Sequence, residues 1–359
     1  MANKIKVLII DDSALVRQVL TSVLNTSKNI EVVGAARDPI DAREKIKLLN
    51  PDVLTLDIEM PKMDGVTFLK NLMRLRPMPV VMISTLTEKG AEITLEALEV
   101  GAVDFISKPK IDVQDKLQDY TDEIIEKVEA AGKAKVREYK GPVQAAGVTK
   151  KLDADAVLEK KEGKLRFKTT DKIVALGAST GGTEAIKEVL ENLPANAPGI
   201  VISQHIPIAF SKAFTERVNK TCRIEVCEAK DGQKIVNGYA YIAPGDRHLM
   251  VVRSGADYII KLNDGPPVSR HKPSVDVMFR SVAQNVGPNA MGVMLTGMGA
   301  DGAEGMLEMK QRDSYNIAQN EETCVVWGMP GAAVKIGAVD KELGLGLVAK
   351  EIIRYCIEI

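Results

Sequence analysis

Net charge is almost absent from this chain: 48 Lys and Arg stand against 49 Asp and Glu over 359 residues. Without a basic excess, nothing in the overall balance points to nucleic acid or an anionic membrane surface as partner. Long hydrophobic runs are lacking too, so no segment approaches the length that spans a bilayer, and direct membrane insertion is not expected. The start, MANKIKVLIIDD, reaches an acidic pair with neither a long apolar stretch nor a small-residue cleavage site. A secretory signal is therefore not expected, and the expected location is cytoplasmic. Cysteine is sparse, and Cys222, Cys227, Cys324 and Cys356 lack the close CxxC pairs of a zinc or redox site. Free thiols in a reducing compartment are the expectation. What is present is ordinary: 45% hydrophobic and 27% charged residues exclude wholesale disorder. At 359 residues the chain exceeds what one core usually organises, so two domains are expected.

From Lys4 an apolar run (IKVLII), an acidic turn, an amphipathic stretch from Ala14 to Leu24 and a second apolar run (IEVVGAA) read as βαβ alternation. The runs VLTLD, PVVMIS and AVDFISKP predict three further strands, separated by helices over Asp64 to Arg74 and Glu88 to Val100. Five strands with their helices describe a small doubly wound parallel sheet. After about Lys127 a Lys-, Ala- and Glu-rich tract with few large apolar residues reads as a linker, either a solvated tether or a helix packed against both domains. From Lys172 α/β alternation resumes, with strands in KIVALGAS, GIVISQHIP and NAMGVMLTGMG and helices over Thr183 to Leu193, Ala209 to Asn219 and Ala303 to Gln311. Alternation around glycine turns between Gly238 and Lys261 predicts an antiparallel hairpin attached to a mostly parallel core.

Doubly wound sheets bind ligands beyond the carboxyl ends of their strands. Asp11 and Asp12 end the first strand and Asp57 ends the third, so three carboxylates are expected at one edge. Such a cluster favours a cation, and hard oxygen ligands with open water positions suit Mg²⁺. Thr85 and Lys108 follow the fourth and fifth strands. A hydroxyl and an ammonium facing three carboxylates suit phosphoryl transfer, with Asp57 as nucleophile. The competing reading is that acidic residues cap the helices after strands, as Asp12 could for the stretch beginning at Ser13. Five polar residues at matching strand ends weigh against it.

These residues, with Asp57 ahead of MPKMDG and Lys108 ahead of Pro109, resemble the receiver domain of bacterial and archaeal response regulators over roughly Lys4 to Val128. The resemblance implies a flavodoxin-like (βα)5 domain at 1–128. It also implies that Asp57 accepts a phosphoryl group from a histidine kinase. Asp12, Asp57 and the Glu59 carbonyl would bind Mg²⁺, Asp11 would contribute through water, and Thr85 and Lys108 would read the phosphoryl oxygens.

In the second half, Gly177-Ala178-Ser179-Thr180-Gly181 fits G-x-S-x-G between a strand and a helix, the context of an exposed serine nucleophile. A glycine-rich turn with a serine N-cap, or a phosphate-cradling loop, has similar composition. A serine needs a base, and the chain has only three histidines. His205 ends the next strand and emerges at the same edge as Ser179. His248 reads as a possible surface residue of the hairpin, and His271 as a loop residue able to line a pocket. Asp301 follows another buried strand and completes the set as the carboxylate that would orient the imidazole. Capping the helix from Ala303 is its alternative role. The order Ser, His, Asp differs from that of α/β-hydrolases and disfavours that fold.

Together with QHIP, RHKPSVDVMF, LTGMGADGAEG and AQNEETCVVWGMPGAA, these residues closely resemble the catalytic domain of chemotaxis protein-glutamate methylesterases, from about Lys172 onward. The implied organisation is a receiver at 1–128, a linker at 129–170 and a catalytic domain at 171–359. Ser179 is then the nucleophile, His205 the base and acid, and Asp301 its partner. Thr180 and the Met298 amide would lie near the oxyanion, and Arg270 to Asp276 would border the groove. Gly331 departs from the charged residue expected in many relatives. The implied activity is hydrolysis of glutamate methyl esters, and deamidation of glutamine, on methyl-accepting chemotaxis receptors, with no cofactor for the esterase step and a chemotaxis histidine kinase as phosphodonor. The receiver is expected to cover the groove until phosphorylated. The rival is a response regulator whose second domain only binds a partner or DNA. A DNA-binding output would show a basic recognition helix, and none is found.

Overall fold

Two parallel sheets account for the two halves of the chain. The computed structural model describes residues 4–61, 63–85, 87–108, 117–136 and 172–357. The first sheet runs β1 (Ile5–Ile10), β2 (Ile30–Ala36), β3 (Val53–Asp57), β4 (Val80–Ser84) and β5 (Asp104–Ser107), in the spatial order β2-β1-β3-β4-β5. All four pairings are parallel. This is the flavodoxin-like order, with its switch point between β1 and β3. The helices are α1 (Ala14–Leu24), α2 (Pro39–Leu49), α3 (Gly65–Leu75), α4 (Glu88–Val100) and α5 (Leu117–Ala131). Their starts are written locally: Ser13, Asp38, Asp64 and Thr87 cap α1 to α4 by accepting from first-turn amides. Ser13 caps α1, so Asp12 is not spent on that role.

The second sheet has seven strands in the order β14-β13-β12-β6-β7-β9-β8, every pair parallel. Its strands are β6 (Ile173–Ala178), β7 (Gly199–Gln204), β8 (Glu225–Glu228), β9 (Tyr239–Ile242), β12 (Ala290–Met294), β13 (Tyr315–Gln319) and β14 (Lys341–Leu343). Strands β6, β7 and β12 are buried along their whole length, as strands covered on both faces must be. The covering helices are α6 (Gly182–Glu191), α7 (Ile208–Asn219), α8 (Val275–Asn285), α9 (Ala303–Lys310), α10 (Met329–Lys335) and α11 (Leu345–Ile357). The chain leaves β6 first toward β7 and later returns to β12 on β6's other side, so the switch point lies at the carboxyl end of β6.

The expected hairpin is displaced along the chain. Tyr239–Ile242 is β9 of the main sheet, whereas the antiparallel pair is β10 (His248–Ser254) with β11 (Asp257–Asn263). Burial explains the difference: Ala240 to Ile242 form a continuously buried run, while only the later stretch alternates, with Leu249, Val251, Ile260 and Leu262 inside. The tract expected as a linker is helical through Ala131 in α5, and from 137 to 170 it lies outside the described residues. Among the described residues no helix is long and apolar enough to cross a membrane.

The two halves meet through α4, β5 and α5. Helix α4 packs on α7 and touches α6. Phe105 of β5 lies against Phe210 of α7, ring centroids 4.5 Å apart. Glu99 pairs with Lys187 and Arg217, and Arg270 pairs with Glu126.

Candidate active site

Strand ends assemble both sites. In the first half Asp11, Asp12 and Asp57 bring one carboxylate oxygen each within 4.8 Å of one another. Asp11 and Asp57 are fully buried. Lys108 Nζ donates to Asp57 at 2.8 Å and stands 4.0 Å from Asp11. Burial, then the neighbouring charge of Asp57, push the Asp11 carboxyl up to about 6. Burial raises Asp57 as well, against the opposing pull of Lys108. The buried Asp11 Oδ2 has no hydrogen-bond partner, an arrangement that a divalent cation would relieve, so the donor set fits Mg²⁺. The Glu59 amide donates to Asp57 Oδ1 at 3.2 Å. Thr85 is half-buried after β4, its hydroxyl 3.5 Å from that of Thr87. Helix α3 starts so close to Asp57 that a Cβ on Gly65 would fall 2.1 Å from the Asp57 carbonyl oxygen.

In the second half Ser179 follows β6, His205 follows β7 and Asp301 lies beyond β12. The Ser179 hydroxyl is 3.1 Å from His205 Nδ1, and His205 Nε2 is 2.7 Å from Asp301 Oδ2. Burial alone would raise Asp301. Hydrogen bonds from His205, the Val275 amide and the Ser274 hydroxyl more than offset it and hold the carboxyl at about 2. An ionised Asp301 requires the proton on Nε2, which leaves the Nδ1 lone pair for the serine hydroxyl. Ser179 is not a helix cap: α6 is capped by Gly181, whose φ of 73° lies in the left-handed region. Asp301 does not cap α9 either, since Gly302 takes that place. Its carboxylate instead sits on the start of α8, accepting from Val275 N at 2.7 Å, Asp276 N at 3.2 Å and Ser274 Oγ at 2.8 Å. Backbone amides and the helix dipole there favour negative charge.

The remaining predicted residues divide. Gly297 packs on the nucleophile, since a Cβ there would meet Ser179 Cβ at 2.9 Å, and Met298 follows it, half-buried. Thr180 is buried, and its hydroxyl is taken by Asp104 of the first domain. The Arg270 guanidinium turns toward Glu126 and Asp122 on α5. His271 stacks on His205, ring centroids 3.7 Å apart, and burial with the adjacent imidazole lowers it to about 3, so it stays neutral. His248, expected as a possible surface residue, is only 2% exposed because it heads β10 under the 264–274 loop. Gly331 lies under the Trp327 ring, where a Cβ would come within 2.9 Å. Sequence reasoning gave no role to Gln204, whose amide donates to the carbonyls of both Ser179 and His205, and placed Ser274 only within the stretch bordering the groove, not on Asp301. Ser274 had a legible signal as the polar residue ahead of a helix, whereas nothing local marked Gln204.

A phosphorylatable α/β domain joined to an α/β domain with a serine, histidine and aspartate at one sheet edge defines a response regulator whose output is an enzyme. The family model for the response regulator receiver domain matches residues 7–122, and that for CheB methylesterase matches residues 174–352. A protein-glutamate methylesterase/protein-glutamine glutaminase of Hydrogenovibrio crunogenus is 58% identical over 370 residues, covering 98% of each chain. A similarly named protein of Geobacter metallireducens is 56% identical over 342 residues, covering 95% of this chain and 93% of its own. The crystal structure of the Thermotoga maritima CheB methylesterase catalytic domain superposes with a TM-score of 0.51 at 34% identity, over 52% of this chain and all of that one. The chain belongs to the CheB methylesterase family of receiver-controlled hydrolases.

Proposed function

We propose that this enzyme hydrolyses glutamate γ-methyl esters, and deamidates glutamines, on methyl-accepting chemotaxis receptors through Ser179, His205 and Asp301. The observation that carries the reading is the unbroken chain of contacts from Ser179 Oγ through His205 to an ionised Asp301. Ser179 Oγ attacks the ester carbonyl carbon while His205 Nδ1 takes its proton, and Asp301 stabilises the imidazolium. The tetrahedral oxyanion falls to Thr180 and the Met298 amide. His205 then returns the proton to the leaving methoxide, releasing methanol and an acyl-serine. Water attacks this ester with His205 as base, and glutamate and free Ser179 are regenerated. With an amide substrate the leaving group is ammonia.

Control comes from the receiver. The Asp57 carboxylate attacks the phosphorus of a phosphohistidine on a chemotaxis histidine kinase, breaking the N–P bond and forming an acyl phosphate. Asp11, Asp12, Asp57 and the Glu59 carbonyl would hold Mg²⁺, which when bound neutralises charge on the phosphoryl oxygens. Thr85 and Lys108 then bind the transferred oxygens. The unphosphorylated receiver withholds the groove, a reading supported by the Asp104 bond to Thr180, next to the nucleophile. Two functional domains, 1–128 and 171–359, joined by 129–170, suffice for this scheme.

Replacing Ser179 with Ala tests the core of it. Ester hydrolysis on methylated receptor should fall by roughly 10³-fold or more with the fold intact. Retained hydrolysis would mean the second domain acts by binding alone.

A further inference from the structure

His248 stands outside the Ser-His-Asp set, yet two of its ring contacts close a loop around that set. It heads β10 and is 2% exposed. Its Nδ1 accepts from the Ser274 amide at 3.1 Å, and its Nε2 lies 2.9 Å from the Pro266 carbonyl oxygen. An amide can only donate and a carbonyl can only accept, so the ring is the neutral tautomer with its proton on Nε2. The two partners sit at opposite ends of one arm of chain, 266–274. Within that arm Val268 and His271 exchange both backbone hydrogen bonds. The two residues between them, Ser269 and Arg270, take φ of 52° and 68°, left-handed values that neither residue favours. The surroundings must therefore hold the arm in place, and it presents two functional groups. One is the His271 ring, stacked on His205. The other is Ser274, whose hydroxyl donates to Asp301 Oδ1.

We propose that His248 is a positioning residue for hydrolysis: it clasps the base of the 266–274 arm and thereby fixes Ser274 on Asp301 and His271 on His205. This rests on the triad reading above. The Nδ1 contact is the critical half, because the Ser274 amide and hydroxyl belong to one residue: holding the amide aims the hydroxyl at Asp301. The Nε2 contact holds the far end of the arm, which carries no group that touches the triad. Loosening Ser274 leaves Asp301 with fewer donors and leaves the imidazolium formed during attack less well oriented. The chemical step should suffer and substrate binding should not.

The asymmetry gives a test with two polar substitutions. Asn places its carbonyl oxygen near the position of Nδ1 and can accept from the Ser274 amide. Gln reaches the position of Nε2 and can donate to Pro266 but leaves Ser274 unheld. In the full-length chain, assayed with phosphodonor and methylated receptor, His248→Asn should keep kcat within about threefold of the parent. His248→Gln and His248→Ala should lower kcat at least tenfold, roughly the loss of one charge-assisted hydrogen bond, with KM unchanged. Rates are taken per folded molecule, with the folded fraction read by near-ultraviolet circular dichroism. A merely structural histidine would lower the melting temperature in all three variants without separating Asn from Gln in kcat. Equal kcat for the Asn and Gln variants, or a parental kcat for the Ala variant, overturns the proposal. Ser179→Ala run alongside keeps the two readings apart: activity retained there sinks the triad, whereas an inactive Ser179→Ala beside a fully active His248→Gln sinks only the clasp.

Discussion

Asp11 and Asp301 show how one residue type is driven in opposite directions by its surroundings. Asp301 gains donors and falls to about 2, so it stays ionised across the working range. Its stabilising share is present above the ordinary carboxylate value and is lost only as pH falls toward about 2. Asp11 has only the Ser13 amide on Oδ1 and no donor on Oδ2, and it is raised to about 6 by burial and by Asp57. The fold thus prefers Asp11 protonated: that preference stabilises below the ordinary value of 3.8, is lost as pH rises through about 6, and becomes a cost for the ionised group above it. A shift of this size corresponds to roughly 1–3 kcal/mol. Asp11→Asn should stabilise the receiver at pH 7 by about that much, with the gain shrinking toward pH 4, and should lose Mg²⁺-dependent phosphoryl uptake. Urea denaturation of both forms at the two pH values measures the first effect, and an unchanged midpoint at pH 7 would refute it.

At the level of elements, strand ends were legible and supports were not. Asp57, Lys108, Ser179, His205 and Asp301 could be placed because an apolar run followed by a polar residue marks the carboxyl edge of a parallel strand. The helices α1 and α4 carried clear periodicity, and their predicted bounds coincide with the observed ones. What escaped depends on chain segments that meet only in three dimensions. The α8 amides reach Asp301 across about 25 residues of sequence, and the Gln204 amide bridges two carbonyls. β9 was misassigned because four residues are too few for burial on both faces to be told from alternation. Glycine spacing is similarly mute until a close approach is seen. Gly65→Ala would drive a Cβ into the Asp57 carbonyl, and backbone on both sides leaves no flexible tip to yield. The expected outcome is displacement of the α3 start, a loss on the order of 2–4 kcal/mol in receiver stability and impaired phosphorylation, while hydrolysis by the second domain persists. Thermal melting followed together with phosphorylation assays checks it; a wild-type melting temperature would show that α3 can shift freely.

For the whole molecule the question is what holds the receiver on the catalytic face and how much must be undone to release it. The ion pairs of Glu99 with Lys187 and Arg217, and of Arg270 with Glu126, are partly exposed, and each contributes at most about 1 kcal/mol. The buried contacts weigh more: Phe105 on Phe210, and Asp104, which takes the Thr180 hydroxyl and lies 3.5 Å from Lys127. Lys127 is itself anchored, donating to the Phe105 carbonyl and pairing with Glu123. Asp104 therefore joins the receiver's own structure to the residue beside the nucleophile. Moving a closed population from 99:1 to 1:99 requires about 5.5 kcal/mol, more than any one of these contacts supplies, so on the proposed scheme release of the receiver would need several of them to loosen together. Removing one should tilt the balance only part of the way. Asp104→Ala frees the Thr180 hydroxyl and leaves Lys127 with Glu123. It should raise hydrolysis without phosphodonor by roughly 5- to 30-fold and shrink the further gain on phosphorylation by a similar factor. High salt should reproduce a smaller part of this, since it screens the exposed pairs and leaves the Phe105 contact untouched. If Asp104→Ala lowers the unphosphorylated rate, Asp104 supports Thr180 in catalysis and the receiver does not act by withholding it.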